Sequence, residues 1–293
     1  MKFFPFVAPL SVLGLVIALP ARAQSPEGLM KQDSATSGST DVATSGFEAP
    51  TEKPEEEKDT TELEVSAGGL FTSGNSRSVA ATTSSKLRLR RDVNQLSAAL
   101  AANYSRAAAT PDADMETTVE NLQGKLRYDR FVSERVAVFL ALSGRHDRFQ
   151  GLDLRLNLDP GVAYYFIDQK KQQLWTELGY DLQYDVRRDE NIEAAAADGE
   201  TIDKTEVRHS GRLFVGYENK VSEAVSFTTG IEYLQDVQTT ENWRLNYDAG
   251  LTSSIGKGFS VATTFSLKYD HNPLPGVEKT DTVTAVSLVY KLL

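Results

Sequence analysis

The 293-residue sequence has no cysteine, so no disulfide, thiolate metal site or thiol nucleophile is open to it, nor the lipidated N-terminal cysteine of a lipoprotein. Long apolar runs are nearly absent. Only Phe3 to Leu19 approaches the roughly 18 residues that a spanning helix needs, which excludes a polytopic helical membrane protein. Histidine occurs 3 times and scattered, which with the lack of cysteine argues against a soft metal site. An excess of positive charge is missing too. Lys and Arg number 31 against 41 Asp and Glu, and a net charge of −10 argues against a general nucleic-acid binder.

What is present begins with a targeting pattern. Met1 and Lys2 give a basic start, Phe3 to Leu19 an apolar stretch broken by Pro5 and Pro9, and Ala21-Arg22-Ala23 a small-x-small end. Residues 1–23 therefore read as a secretory signal peptide cleaved after Ala23, with export to the periplasm. Residues 24–60 are rich in Ser, Thr, Gly, Glu and Lys and end in the charge run Glu52 to Asp59. Such a stretch has too little apolar surface to offset its ordering entropy and reads as a disordered acidic linker.

From Thr61 to the end the pattern has period two, and it recurs twelve times. Leu63, Val65, Ala67, Gly69 and Phe71 alternate with Glu62, Glu64, Ser66 and Gly68; Leu122 to Tyr128, Leu174 to Tyr184 and Phe259 to Tyr269 repeat the scheme. Two folds can use such strands, a soluble sandwich with apolar rows inside or a membrane barrel with them outside. Rows of roughly 10 residues match a tilted strand crossing an outer membrane, whereas soluble strands average about 5 to 6. Aromatics gather at the row ends: Tyr104, Tyr184, Tyr233, Trp243 and Tyr269 at one rim, Tyr164, Phe166, Tyr217, Phe227 and Phe259 at the other. Two girdles suit the boundaries between hydrocarbon and water. The longer connections, Arg106 to Asp114, Val186 to Lys204 and His271 to Lys279, all fall at one end of the alternation. Residues 61–293 are thus expected to form an all-β fold, a closed antiparallel transmembrane β-barrel of about 12 strands.

Parity then assigns the lumen. Arg88, Arg90, Lys125, Arg127, Arg155, Arg208, Arg212, Arg244 and Lys268 share the inward face with Glu62, Glu64, Glu177, Asp181, Asp185, Glu232, Asp248 and Asp270. The signs nearly balance, whereas a strongly selective channel would line its constriction with one sign. A salt-bridged interior, with a narrow weakly selective pore or none, is the expectation.

Catalytic candidates are few. A hydrolase needs nucleophile and base on one face, and the neighbours His209 and Ser210 point to opposite faces. His209 reads as an interfacial residue, and His146 and His271 as solvated loop positions. The run Asp189 to Glu200 has carboxylates that could bind a divalent cation, but reads first as a solvated extracellular loop. Gly74, Gly151 and Gly276 read as turn glycines of positive φ. No catalytic residue, metal site or cofactor is expected.

Several stretches carry a family likeness: Thr72-Ser73-Gly74-Asn75-Ser76, Arg127 to Arg135, Asp147 to Asp153, Gly161 to Phe166, and above all Asp270 to Thr282 leading into Ser287-Leu288-Val289-Tyr290. In these the chain resembles the YdiY-like family of salt-induced outer-membrane proteins, a family of unknown function. The resemblance implies an outer-membrane barrel of unassigned activity in a Gram-negative bacterium, in contact with outer-membrane lipids and lipopolysaccharide. It departs at the end: Lys291-Leu292-Leu293 stands where such barrels usually carry a terminal aromatic for the barrel-assembly machinery, although Tyr290 keeps the outward parity. The functions to be weighed are an envelope-integrity barrel or narrow channel, a lipid-modifying enzyme, and a soluble periplasmic barrel or sandwich.

Overall fold

The computed structural model describes residues 59–292 except 74–76, 109, 111, 149, 170, 198, 200 and 274–278; the cleavage position Ala23, nearly all of the linker, Gly74 and Gly276 lie outside the described residues. Twelve strands run β1 Asp59–Thr72, β2 Arg77–Arg91, β3 Asn94–Ala108, β4 Glu116–Phe131, β5 Val136–Asp147, β6 Leu152–Gln169, β7 Gln172–Arg187, β8 Thr205–Lys220, β9 Val225–Asp236, β10 Trp243–Gly256, β11 Phe259–Asp270 and β12 Thr280–Lys291. Each pairs antiparallel with the next, and β12 returns to β1, closing the barrel. The pairing of that closing seam runs from Glu64↔Lys291 to Ala67↔Leu288.

The strands outrun the apolar rows that announce them, with 12 residues in β5 and 18 in β6. Polar residues extend each ladder past the apolar band. β1 already begins at Asp59, inside the stretch read as linker. Connections 92–93, 132–135, 170–171, 221–224 and 257–258 close one end, while 109–115, 188–204, 237–242 and 271–279 lie at the other. The short turns need backbone in the left-handed region. Asp92 takes φ 51°, and Lys257 (φ 55°) sits between Gly256 (φ 104°) and Gly258 (φ 81°).

Residues 188–204 are not simply a solvated loop. They hold a helix, α1 (Asp189–Ala197), with acidic Asp189 and Glu190 in its first turn, where the dipole favours them, and Ala195 buried beneath it. Three consecutive helix-favouring alanines before Ala197 outweigh the loop signal of the flanking acids. The hinge is held by Arg188 N–H donating to Gly151 O at 2.9 Å, and by Lys204 Nζ bridging to Asp189 at 2.6 Å and Asp153 at 3.3 Å. Gly151, at φ 70°, leaves the space that the Asn191 side chain occupies. The pairs around Arg188 and Lys204 hold the Lys204 ammonium above its ordinary range and the Glu190 carboxyl below its own.

Burial separates the two faces of the wall. Outward Leu100, Leu122 and Leu178 are 62%, 58% and 62% exposed, whereas inward Glu177 and Gln183 are fully buried. Polar groups inside and leucines outside are the reverse of a water-soluble fold.

Candidate functional site: the barrel lumen

The lumen is layered. Near the short-turn end Phe139, Tyr165, Trp175 and Phe214 point inward and pack with Ala137 and Ala163, with Phe131 at the edge, into an aromatic floor on the β4–β8 side. The Trp175 and Phe214 rings lie 5.9 Å apart, Phe131 and Tyr165 6.1 Å. Glycines on neighbouring inward positions make this possible. A Cβ at Gly161 would fall on the Phe139 ring and one at Gly216 on the Trp175 indole. Gly216→Ala should therefore force the indole out of its rotamer and cost about 1–3 kcal/mol, read as a lowered unfolding midpoint.

Cations cap the floor. The Arg127 guanidinium lies 4.0 Å above the Phe139 ring and that of Arg90 4.0 Å from Phe131, while Arg212 sits 5.5 Å from Phe214. Above the rings a chain of charge-assisted hydrogen bonds crosses the barrel. Arg127 donates to Asp129 (2.8 Å) and to Glu177 (3.1 Å), Arg212 to Glu177 (2.7 Å) and to Glu232 (2.6 Å), and Asn246 to Glu232 (2.7 Å). Arg127 on β4 thus reaches β7 across the inner side of β5 and β6, where Ala141 and Ala163 leave clearance. Buried guanidiniums and carboxylates satisfied from both sides in this way hold a rigid geometry.

Toward the long-loop end the lumen widens into a polar vestibule of about 200 Å³. Arg155 binds Asp185 through two bonds of 2.8 and 2.6 Å, and Arg244 reaches across from β10 to Gln183 at 2.7 Å. Asn157 donates to Asp181 at 2.6 Å, and Arg208 pairs with Glu206 at 3.0 Å. Lys125 and Lys268 also line it.

The opposite wall is built differently. Along β1, β2 and β9 to β11 the inward positions include Ser66, Ser84, Thr228, Gly250, Thr252 and Ser260, all small and half-buried, beside the buried Thr82, Ala262 and Ser266. Toward the short-turn end of this side Arg88 pairs with Glu62 at 3.0 Å, and the charges acting on Lys86 include Glu64, Glu218 and Asp248.

The aromatic rims lie on the outer face. Tyr104, Tyr164, Phe166, Tyr184 and Phe259 are exposed, and Tyr217, Phe227, Tyr233, Trp243 and Tyr269 half-buried. Trp243 stands between Tyr233 (6.0 Å) and Tyr269 (4.8 Å) and stacks on His271 at 5.2 Å. His271 is thus part of an aromatic cluster and not a solvated loop residue, because the edge of β11 sets it over the indole. His146 Nδ1 lies 2.9 Å from Asp153 O, so it too has a backbone partner. His209 bonds the Tyr180 hydroxyl on the outer face, while Ser210 is buried inside. Among the described residues no group of three metal-ligating side chains occurs. Alternation marks the charges, but it does not flag the inward rings. The available signal was an aromatic on the charged parity, Phe139, Tyr165, Trp175 and Phe214, with glycines nearby at Gly161, Gly179 and Gly216.

The family described as "Protein of unknown function, DUF481" matches residues 65–292. No curated protein matches the chain. Three solved structures similar to it are a NanC porin (11% identity, 79% of this chain and 100% of that one, TM-score 0.49), the translocator domain of autotransporter NalP from Neisseria meningitidis (11%, 78% and 86%, TM-score 0.41) and the COG4313 outer membrane channel from Pseudomonas putida F1 (12%, 82% and 99%, TM-score 0.40).

Proposed function

We propose that this chain, which belongs to the DUF481 family of proteins of unknown function, is an outer-membrane barrel with a narrow, weakly selective, eccentric solute passage. The observation that carries this reading is the asymmetry of the lumen. Rings from β5 to β8 and an ion-pair network that runs from β4 to Glu232 of β9 fill one side, while the β10, β11, β1 and β2 side includes small, half-buried Ser, Thr and Gly positions. Small hydroxyl side chains leave room for water and hydrogen-bond it. A barrel of this size lies between filled small barrels and open porins, so one filled half narrows the passage without abolishing it. Mixed signs at the vestibule and around Lys86 oppose strong selectivity.

The outward leucines and aromatic rims support a position in the outer membrane, and in the proposed orientation the long connections lie outside the cell and the short turns in the periplasm. Lipids and lipopolysaccharide are its proposed surroundings, and the barrel-assembly machinery its proposed partner in biogenesis, engaging a last strand whose Tyr290 packs on Phe259 at 4.6 Å. The barrel is read as non-catalytic: His209 and Ser210 stand on opposite faces.

Planar-bilayer recording tests the passage. The folded protein should give small single-channel steps, and Gly250→Trp or Thr252→Trp on the less filled wall should reduce them. Silence from folded protein, or steps indifferent to both substitutions, would reject the channel.

A further inference from the structure

The joint that closes the barrel is paired along only part of its length. Between β1 and β12 the ladder runs from Glu64↔Lys291 to Ala67↔Leu288, extended toward the short-turn end by Leu292 N–H donating to Leu63 O at 2.8 Å. On their other edges the same strands are paired almost to their ends, β1 with β2 from Asp59↔Arg91 to Thr72↔Ser78 and β12 with β11 from Phe259↔Tyr290 to Tyr269↔Thr280. Among the described residues, 68–72 of β1 and 280–287 of β12 thus have no ladder partner on the seam side. Thr282 and Thr284 stand level with Leu267 and Phe265, below the Tyr269 rim, so this edge lies in the apolar band. Hydrocarbon offers backbone N–H and C=O groups no partner, and a sheet edge left open there is a template for another strand. The inward side chains of Ala80, Ser266 and Ser287 beside it are buried, so the edge is reached from the lipid side and not from the lumen.

The local sequence suits a branch at this point. Gly68 and Gly69 stand where β1 leaves β12, and a Cβ on Gly68 would come 2.8 Å from the Thr82 methyl and 3.3 Å from Val286 O. Outward, the exposed Ala67, Gly69, Ala81 and Thr83 carry no bulky group, which lets a second wall come close, and Thr282 and Thr284 are exposed too. A single added strand would run parallel to one of the two antiparallel edges, the less stable pairing. We infer that a second copy of this chain covers the seam, in a dimer whose twofold axis lies along the membrane normal. That symmetry sets β1 of each copy antiparallel to β12 of the other at both joints, so the edges that one chain leaves open satisfy those of its twin. Continuing the seam's register pairs Gly69 with Val286 and Phe71 with Thr284 between copies.

Disulfide mapping of the full-length protein tests the dimer. Gly69→Cys and Val286→Cys chains, refolded together into vesicles of phosphatidylethanolamine and phosphatidylglycerol and oxidised with copper phenanthroline, should give a linked dimer on non-reducing gels, and neither variant should do so alone. Phe71→Cys with Thr284→Cys should behave likewise, whereas Leu178→Cys on β7 with Val286→Cys should stay unlinked. All five variants should keep the heat-modifiable migration of a folded barrel, and sedimentation of the parent in density-matched detergent should show two chains per particle. One chain per particle, or linking through Leu178→Cys as strong as through the seam pairs, would overturn the dimer. So would a chain carrying both Gly69→Cys and Val286→Cys that closes on itself and links no second copy.

Discussion

Glu177→Gln is expected to destabilise the barrel by about 3–5 kcal/mol, the cost of stripping one partner from buried charges. The Glu177 side chain is wholly buried and holds two guanidiniums at once, Arg127 at 2.9 Å and Arg212 at 2.7 Å, themselves almost without solvent contact. A neutral amide offers one weaker acceptor in their place and turns its own N–H group toward a cation. Arg212 lies on β8, the ladder neighbour of β7, but Arg127 lies on β4, three strands away, so the loss of that link falls on a contact that no backbone ladder duplicates. Urea unfolding followed by tryptophan fluorescence measures the effect, because Trp175 lies just beneath the network. Glu190→Gln is the comparison. It pairs with Arg188 at the exposed hinge of α1, where screening leaves little to lose, and its midpoint should stay with the parent. Equal midpoints for the two variants would mean that the buried network contributes no more than a surface pair.

Trp175→Ala should change both stability and flow. The indole is 1% exposed and seated against Phe214 and Gly216, so truncation should cost about 3–5 kcal/mol by lost burial and the void left behind. Unlike a cavity in a sealed core, this one adjoins a polar lumen, so water can enter and the passage should widen. Single-channel conductance is expected to rise, and to rise again in Trp175→Ala with Phe139→Ala, which also removes the ring beneath Arg127. Conductance unchanged in folded variants would show that solutes do not pass beside the floor.

These two expectations fall on the part of the molecule that was hardest to read from sequence. The architecture was legible because period two, repeated from Leu63 to Leu292, leaves a closed sheet as the economical way to satisfy every edge. Parity alone sets Arg127 and Glu177 on one face. Their meeting was not legible, because it depends on a chord across the barrel over Ala141 and Ala163, set by curvature and register. The floor was hidden for a related reason. Phe139 and Trp175 obey alternation while breaking the rule that aromatics face outward, and only the spatially adjacent glycines at 161 and 216 reveal the accommodation. The helix at Asp189–Ala197 was masked by its acids, which resemble a solvated loop until the alanines are weighed as helix formers.

Everything depends on leucines meeting lipid while charges meet one another. Because the parent has no cysteine, single thiols report without background. In reconstituted vesicles, Leu156→Cys, Leu213→Cys and Leu267→Cys should react with a bilayer-soluble maleimide and resist a charged water-soluble one, and Arg155→Cys, Arg212→Cys and Lys268→Cys should resist the bilayer-soluble reagent. The opposite pattern, with the arginine and lysine positions reached from lipid and the leucine positions shielded from it, would contradict the account at its root.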